Sequence, residues 1–272
     1  MIINGLRVEA NADLCNAELK STNMDLANLM SAKLIGADIS DASMRFAKMS
    51  RVVMASSIMN GVDLSGANLN YSNLMGSICS NAKFLGTKLN YSLLILSDFS
   101  NSCITNTDFF NSDLRGVNFS NSNLHGSNLT ESRLDFCDFS HANIDKSDFS
   151  GSNLTGAVLN LVSARWSLLS TAVLNLCDAS KANFYGSDFS GSSCFQANFS
   201  FTNMTKCDFS NTNLMNANCS GANFKFAKFS NANLDGINLS KANLEHTEIT
   251  FEQLSYASSL VGTIMPDGTI HR

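Results

Sequence analysis

An apolar residue returns at every fifth position of this chain, and no other feature constrains its fold so tightly. From Leu14 to Ile249, the residue numbers ending in 4 or 9 carry 48 successive apolar side chains: 21 Leu, 12 Phe, 6 Met, 4 Ile, 3 Cys and 2 Ala. No insertion or deletion breaks the count. Cys207 to Leu244 shows the unit most plainly, reading CDFSN, TNLMN, ANCSG, ANFKF, AKFSN, ANLDG, INLSK, ANL. Two residues before each centre stands Ala, Ser, Thr or Cys in 43 of the 48 units, the exceptions being Val52, Val62, Val117, Val162 and Ile237. One column is large and apolar; the other has to be small.

A strict five cannot hold one face of a helix, which wants apolar residues three and four apart, or of a strand, which alternates at two. Four fives, however, close a square. If each pentapeptide is a short extended side followed by a corner, twenty residues make one coil and stacked coils pair backbone to backbone. The large centres then fill the axis, the small column sits where the walls come close, and the other three residues face water.

The order small, Asp or Asn, Leu or Phe, then two variable residues resembles the pentapeptide repeat family, over about nine-tenths of the chain. The resemblance implies an all-β solenoid: a right-handed quadrilateral β-helix of about twelve 20-residue coils with a short C-terminal helix as cap. An unbroken phase leaves no room for a linker and reads as one elongated domain. Residues 1–11 are the lead-in, 12–250 the β-helix and 251–272 the capping helix and tail. In the lead-in, Ile2, Ile3, Leu6 and Val8 are placed to pair as an initial strand over the first coil. Thr250 and Gln253 spell a capping box that opens a helix through about Ala257. Beyond it Leu260 and Ile264 leave the phase, and Pro266-Asp267-Gly268 makes a turn.

Finer patterns lie on the beat. Phe189, Phe209 and Phe229 fall one coil apart and should stack, as should an Asn ladder at Asn183, Asn203, Asn223 and Asn243. Ser follows the centre at ten-residue intervals, which predicts one kind of turn at opposite corners and another at adjacent ones. Met centres from Met44 to Met59, with Val53 and Ile58 in place of Asn or Asp, mark a softer segment. Ala164 and Ala179 leave room in adjacent rungs.

Only 15% of residues are charged, with a net charge of −5. No apolar run approaches the roughly 18 residues of a membrane span. The start lacks the pattern of a signal peptide, so a cytoplasmic location is expected. Six of the eight Cys sit at centres or in the small column, as small hydrophobes; only Cys15 and Cys103 face outward.

Chemistry is not written here. His125, His141 and His246 fall in separate outward columns and His271 in the tail. No phosphate loop, zinc spacing or nucleophile elbow is present, so neither catalysis nor a cofactor or metal is expected. The function read from the chain is a non-catalytic protein–protein interaction scaffold with an unidentified protein partner. Leu96, Phe136 and Leu176 share an outward column, with Gly116 and Gly156 between them. Leu93 and Ile95 adjoin the first, and Trp166 is outward nearby. Either these six form a partner surface, or corner side chains merely fold over the wall. The resemblance adds an alternative, mimicry of DNA toward DNA gyrase or topoisomerase, and a homodimer through one end. Direct nucleic-acid binding is disfavoured, because the basic residues form no stripe.

Overall fold

The computed structural model describes residues 1–272, in two compact units, 1–138 and 139–272. In the first unit, residues numbered 3 or 8 lie in parallel register with those twenty positions on, from Asp13↔Lys33 to Asn118↔Asp138. The second unit repeats this from Asn143↔Ser163 to Asn223↔Asn243. Twenty residues thus make one coil of a parallel β-helix, with four bridged residues per coil. These residues, such as 13, 18, 23 and 28, define first, second, third and fourth sides. Each bridge takes two backbone bonds, as when Leu14 donates to the Lys33 carbonyl at 2.7 Å and Lys33 to that of Ala12 at 2.9 Å.

Corners explain the period. Every residue numbered 1 or 6 from Asn11 to His246 is left-handed, with φ between 52° and 71°. The small residue that follows donates back to the centre, as Ala17 does to Leu14 at 3.1 Å. Positive φ at the third of four residues is the type II turn. All corners use it, so the expectation of two turn kinds is corrected. The Ser rhythm has another source: the bridged Asp or Asn accepts from the backbone N–H two residues on, as Asp98 does from Ser100 at 2.9 Å and Asn203 from Thr205 at 3.2 Å. That bond gives the repeat its Asp/Asn column, and a small hydroxyl residue suits the bonded corner.

The centres from Leu14 to Leu244 are buried. Ile249 is only half-buried, because the wall ends where the helix begins. Phe209 stacks between Phe189 and Phe229, with ring centroids 4.9 and 5.4 Å apart. Serines of the small column are tolerated inside because their hydroxyls reach carbonyls of a neighbouring coil, as Ser112 does to Leu89 at 2.7 Å. The expected Asn ladder is corrected to its Asn183–Asn203 rung, at 3.0 Å. A longer ladder runs along the second side through Asp178, Asn198, Asn218 and Asn238.

The lead-in is a hairpin rather than a single strand. β1 (Ile2–Ile3) pairs antiparallel with β2 (Leu6–Arg7) across an Asn4-Gly5 turn with both φ positive. At the other end α1 (Phe251–Ser255) starts on the Thr250/Gln253 capping box. The Gln253 amide donates to the carbonyls of Phe229 and Ala232. The phase then resumes rather than dissolving. Ser259 pairs with Asn238 and Ile264 with Asn243, so the helix has inserted one residue into the count.

Candidate functional site

Where the bridged residue is Asp or Asn, its side chain holds a corner N–H. In the first unit Val53, Ile58, Ile78 and Leu93 occupy this position with side chains that accept no hydrogen bond. All four lie on two adjacent sides: Val53 and Leu93 each pair with Asn73 on the first, and Ile58 pairs with Ile78 on the second. The corner between those sides carries Ile35, Met75, Ile95 and Leu96. Ile58, Met75, Ile78, Leu93 and Leu96 are exposed, and Ile95 is partly so. The result is an aliphatic corner over three successive coils.

The six residues singled out in the sequence divide accordingly. Leu93, Ile95 and Leu96 belong to this corner, and Phe136 stands in the same column two coils on, 71% exposed. Leu96 is 73% exposed although its Cδ2 fills the space beside Gly116, where a Cβ would come within 2.8 Å. The leucine therefore folds along the wall and still presents most of its surface. Trp166 and Leu176 lie in the second unit, half a coil apart and so at opposite corners; they form no single patch there. Met75 and Ile78 escaped the sequence reading, and Ile58 was read only as part of a softer segment, because their neighbours lie fifteen to twenty residues away. Writing the chain in twenties would have aligned them.

Charged side chains form separate devices. Asp25 accepts Arg45 Nε and Nη2 from the next coil, and Asp145 accepts Arg165 in the same way. The hydrogen bonds of Arg45 hold the Asp25 carboxyl at about 2. At Asp145, burial works against ionisation, but the bonds from Arg165 and Ser163 outweigh it and the pKa is lowered. The basic residues, expected to form no stripe, do gather on one side of the second unit. Burial pushes the core thiols of Cys79 and Cys194 up to about 12. His246 stacks on Phe226 at 5.0 Å, away from the other histidines. No helix is long and apolar enough to cross a membrane.

No curated protein matches the chain. Among solved structures, it is similar to HetL, a pentapeptide repeat protein involved in heterocyst differentiation regulation in Nostoc sp. strain PCC 7120, at 25% identity over 92% of each chain and TM-score 0.33. It is similar also to QnrB1, a plasmid-mediated fluoroquinolone resistance protein, at 17% identity over 84% of this chain and 96% of that one, TM-score 0.44. A third is a pentapeptide repeat protein of the Arabidopsis thaliana thylakoid lumen, at 20% identity over 51% of this chain and 83% of that one, TM-score 0.34. The family profile described as Pentapeptide repeats matches residues 10–45, 47–77, 77–116, 118–156, 192–225 and 217–250. The interval it skips holds Ala164, Trp166, Leu168, Val173 and Ala179, where the phase continues but the residues depart from type. By its corners, its buried centres and this match, the chain belongs to the pentapeptide repeat family.

Proposed function

We propose that this chain is a non-catalytic protein–protein interaction scaffold and that a partner protein seats on the aliphatic corner formed by Leu93, Ile95, Leu96 and their neighbours Ile58, Met75 and Ile78. One observation carries the reading. Four bridged positions there carry aliphatic side chains in place of a hydrogen-bonding Asp or Asn, and three of them, Ile58, Ile78 and Leu93, are exposed. Folding gains nothing from that exchange, whereas association does. Phe136 extends the surface along its column.

The scaffold on this reading is a right-handed quadrilateral β-helix of about twelve coils, with residues 1–11 and 251–272 as its ends and α1 as the cap of the last coil. The exposed Phe251, Tyr256, Val261 and Ile270 support that end as the seat of a homodimer. Eight free thiols suit a reducing compartment such as the cytoplasm. Mimicry of DNA toward gyrase is the weaker reading: the fourth-side acids Asp148, Asp188 and Asp208 support it, and the basic side of the second unit opposes it.

The test uses Leu93→Ser with Leu96→Asn in the full chain. Affinity capture followed by mass spectrometry should recover a protein with the wild type that the double variant loses, with the melting temperature retained. An unchanged set of captured proteins would remove this corner from consideration. Purified protein that alters gyrase supercoiling would favour the alternative.

A further inference from the structure

The second unit holds eight Lys and Arg residues against ten Asp and Glu, yet they are not mixed. Six of the eight, Lys146, Arg165, Lys181, Lys206, Lys225 and Lys241, stand at the two corners bordering the third side. That side's bridged residues run Asn143, Ser163, Asn183, Asn203, Asn223 and Asn243. Its only acids, Asp145 and Glu245, are held by Arg165 and Lys225. Lys146, Lys181, Lys206 and Lys241 are left as exposed cations without an ion pair. The remaining sides of the same coils carry Asp148, Asp178, Asp188, Asp208, Asp235 and Glu248 against Lys228 alone. The third side with its corners is thus net +4, and the rest of the coils net −5.

Aromatic rings share these borders. Trp166 is 52% exposed and meets Tyr185 edge-on at 5.3 Å, and Lys206 Nζ lies 5.5 Å from the Tyr185 ring centre. Phe226 is exposed between His246 and Lys225 Nζ, the latter 5.4 Å from its ring centre. Trp166 and Phe201 are each followed one coil on by glycine. A Cβ at Gly186 would come within 2.5 Å of the Trp166 ring, and one at Gly221 within 2.7 Å of the Phe201 ring. Glycine therefore makes the room that lets both rings lie along the wall. Between the two borders the side itself is a neutral column of part-buried residues, five amides and Ser163.

Cations alternating with exposed rings suit a polymer that has a phosphate on every residue and a flat base beside it. An acidic peptide would use the lysines but give the rings nothing to stack on. We propose that the third side of the second unit binds single-stranded nucleic acid, with Lys146, Lys181, Lys206 and Lys241 taking phosphates and Trp166, Tyr185, Phe201 and Phe226 taking bases. From Asn143 to Asn243 the side spans roughly 24 Å at about 4.8 Å per coil, room for about seven nucleotides at stacked spacing.

Trp166 is the only tryptophan, so its emission reports occupancy directly. The full chain is titrated with labelled oligo-dT and oligo-U of about 12 nucleotides, a length that covers the side. Binding should quench Trp166 and raise the label's anisotropy. Four phosphate contacts should weaken affinity about 50-fold between about 50 and 200 mM salt, and Lys206→Ala should lower the log–log salt slope by about 0.7. Lys181→Glu with Lys206→Glu should weaken binding at least about tenfold, while Lys88→Glu in the first unit leaves it unchanged. Absence of quenching by either oligomer, or wild-type affinity in the double variant at an unchanged melting temperature, overturns the proposal. So does duplex binding as tight as single-strand binding, since the rings would then have no role. Quenching by poly-glutamate but not by the oligomers would assign the side to an acidic protein and overturn it equally.

Discussion

Arg45 closes on Asp25 from one coil away, its Nη2 2.6 Å and its Nε 3.0 Å from Oδ2, while its own backbone N–H donates to Oδ1 at 2.9 Å. Ser43 completes the set on Oδ1. Asp145, Ser163 and Arg165 repeat it bond for bond. In each case the next residue is an exposed ring, Phe46 or Trp166, followed one coil on by glycine. Asn175 accepts Ser193 and the Phe195 N–H in the same way without an arginine. The Oδ1 half of the device therefore works on a neutral amide.

The pH dependence follows from this split. Bonding to Arg45 lowers the Asp25 carboxyl from 3.8 in the unfolded chain to about 2. A depressed carboxylate contributes its stability fully above the unfolded value, and the contribution disappears as pH falls through the folded one. Asp25→Asn should keep the Oδ1 bonds and lose only the Arg45 pair. Because Arg45 is half exposed and solvent screens the pair, the loss should be small. Melting temperatures of the two proteins should differ at pH 7 and converge near pH 2; a gap that persists there would mean the pair is not its source.

Leu96 holds a left-handed backbone, φ 58°, that costs a leucine about 1–2 kcal/mol and suits asparagine better. Leu96→Asn should therefore raise stability by about 0.5–1 kcal/mol in thermal unfolding. A loss of stability would mean that the side chain's contact along Gly116 outweighs the backbone, and that this leucine serves the wall more than a partner.

The fold was legible because it depends on a column that never fails. One apolar residue in five is visible in any short window, and Leu14 to Leu244 are buried where that count places them. The corner was half legible. Asn and Gly at residues 11, 16, 36 and 61 suggest a left-handed position, but Phe46, Arg51, Tyr71 and Trp166 occupy it too, and propensity alone would not place them there. Repetition overrides propensity, since each corner is held by bonds to the coils on either side. Surfaces were least legible because their neighbours are twenty residues apart. Ile58 beside Ile78, or Lys206 beside Lys225, share a face only after the coil has closed. Basic residues that look scattered along the chain become the two borders of one side by this geometry.

Gly186 makes a local test of ring seating. A Cβ there would meet the Trp166 ring at 2.5 Å, whereas one at Gly86 would meet nothing within 4 Å; their φ angles are both positive, 71° and 63°. Both Gly→Ala changes carry the left-handed penalty of about 1 kcal/mol. Only Gly186→Ala should also displace the indole, shifting Trp166 emission to the red. Equal emission spectra would show that the ring does not depend on that glycine.

Thiol reactivity should separate core from wall. Cys79, Cys137, Cys177, Cys194, Cys207 and Cys219 are buried and their thiols are pushed up by burial, whereas Cys103 is exposed and Cys15 partly so. The hydrogen bond to Asp13 also raises the Cys15 thiol. A disulfide reagent at neutral pH should modify Cys103 first, Cys15 more slowly, and the six others only on unfolding. Rapid modification of any of the six would mean that the wall opens near that residue.

Phe209 shows how far the interior can bear a change. Its ring is fully buried and nearly parallel to both Phe189 and Phe229, so removing it opens a gap bounded by two aromatic faces. The walls are tied coil to coil by backbone bonds and cannot collapse into that gap. Phe209→Ala should therefore cost the upper part of the usual range, about 4–5 kcal/mol. Phe136→Ala, at an exposed corner, should change stability by less than about 0.5 kcal/mol. Denaturant unfolding of the two variants measures the contrast directly. A small loss for Phe209→Ala would show that the coils can shift to close the space, and that the apolar column sets the period without bearing most of the stability.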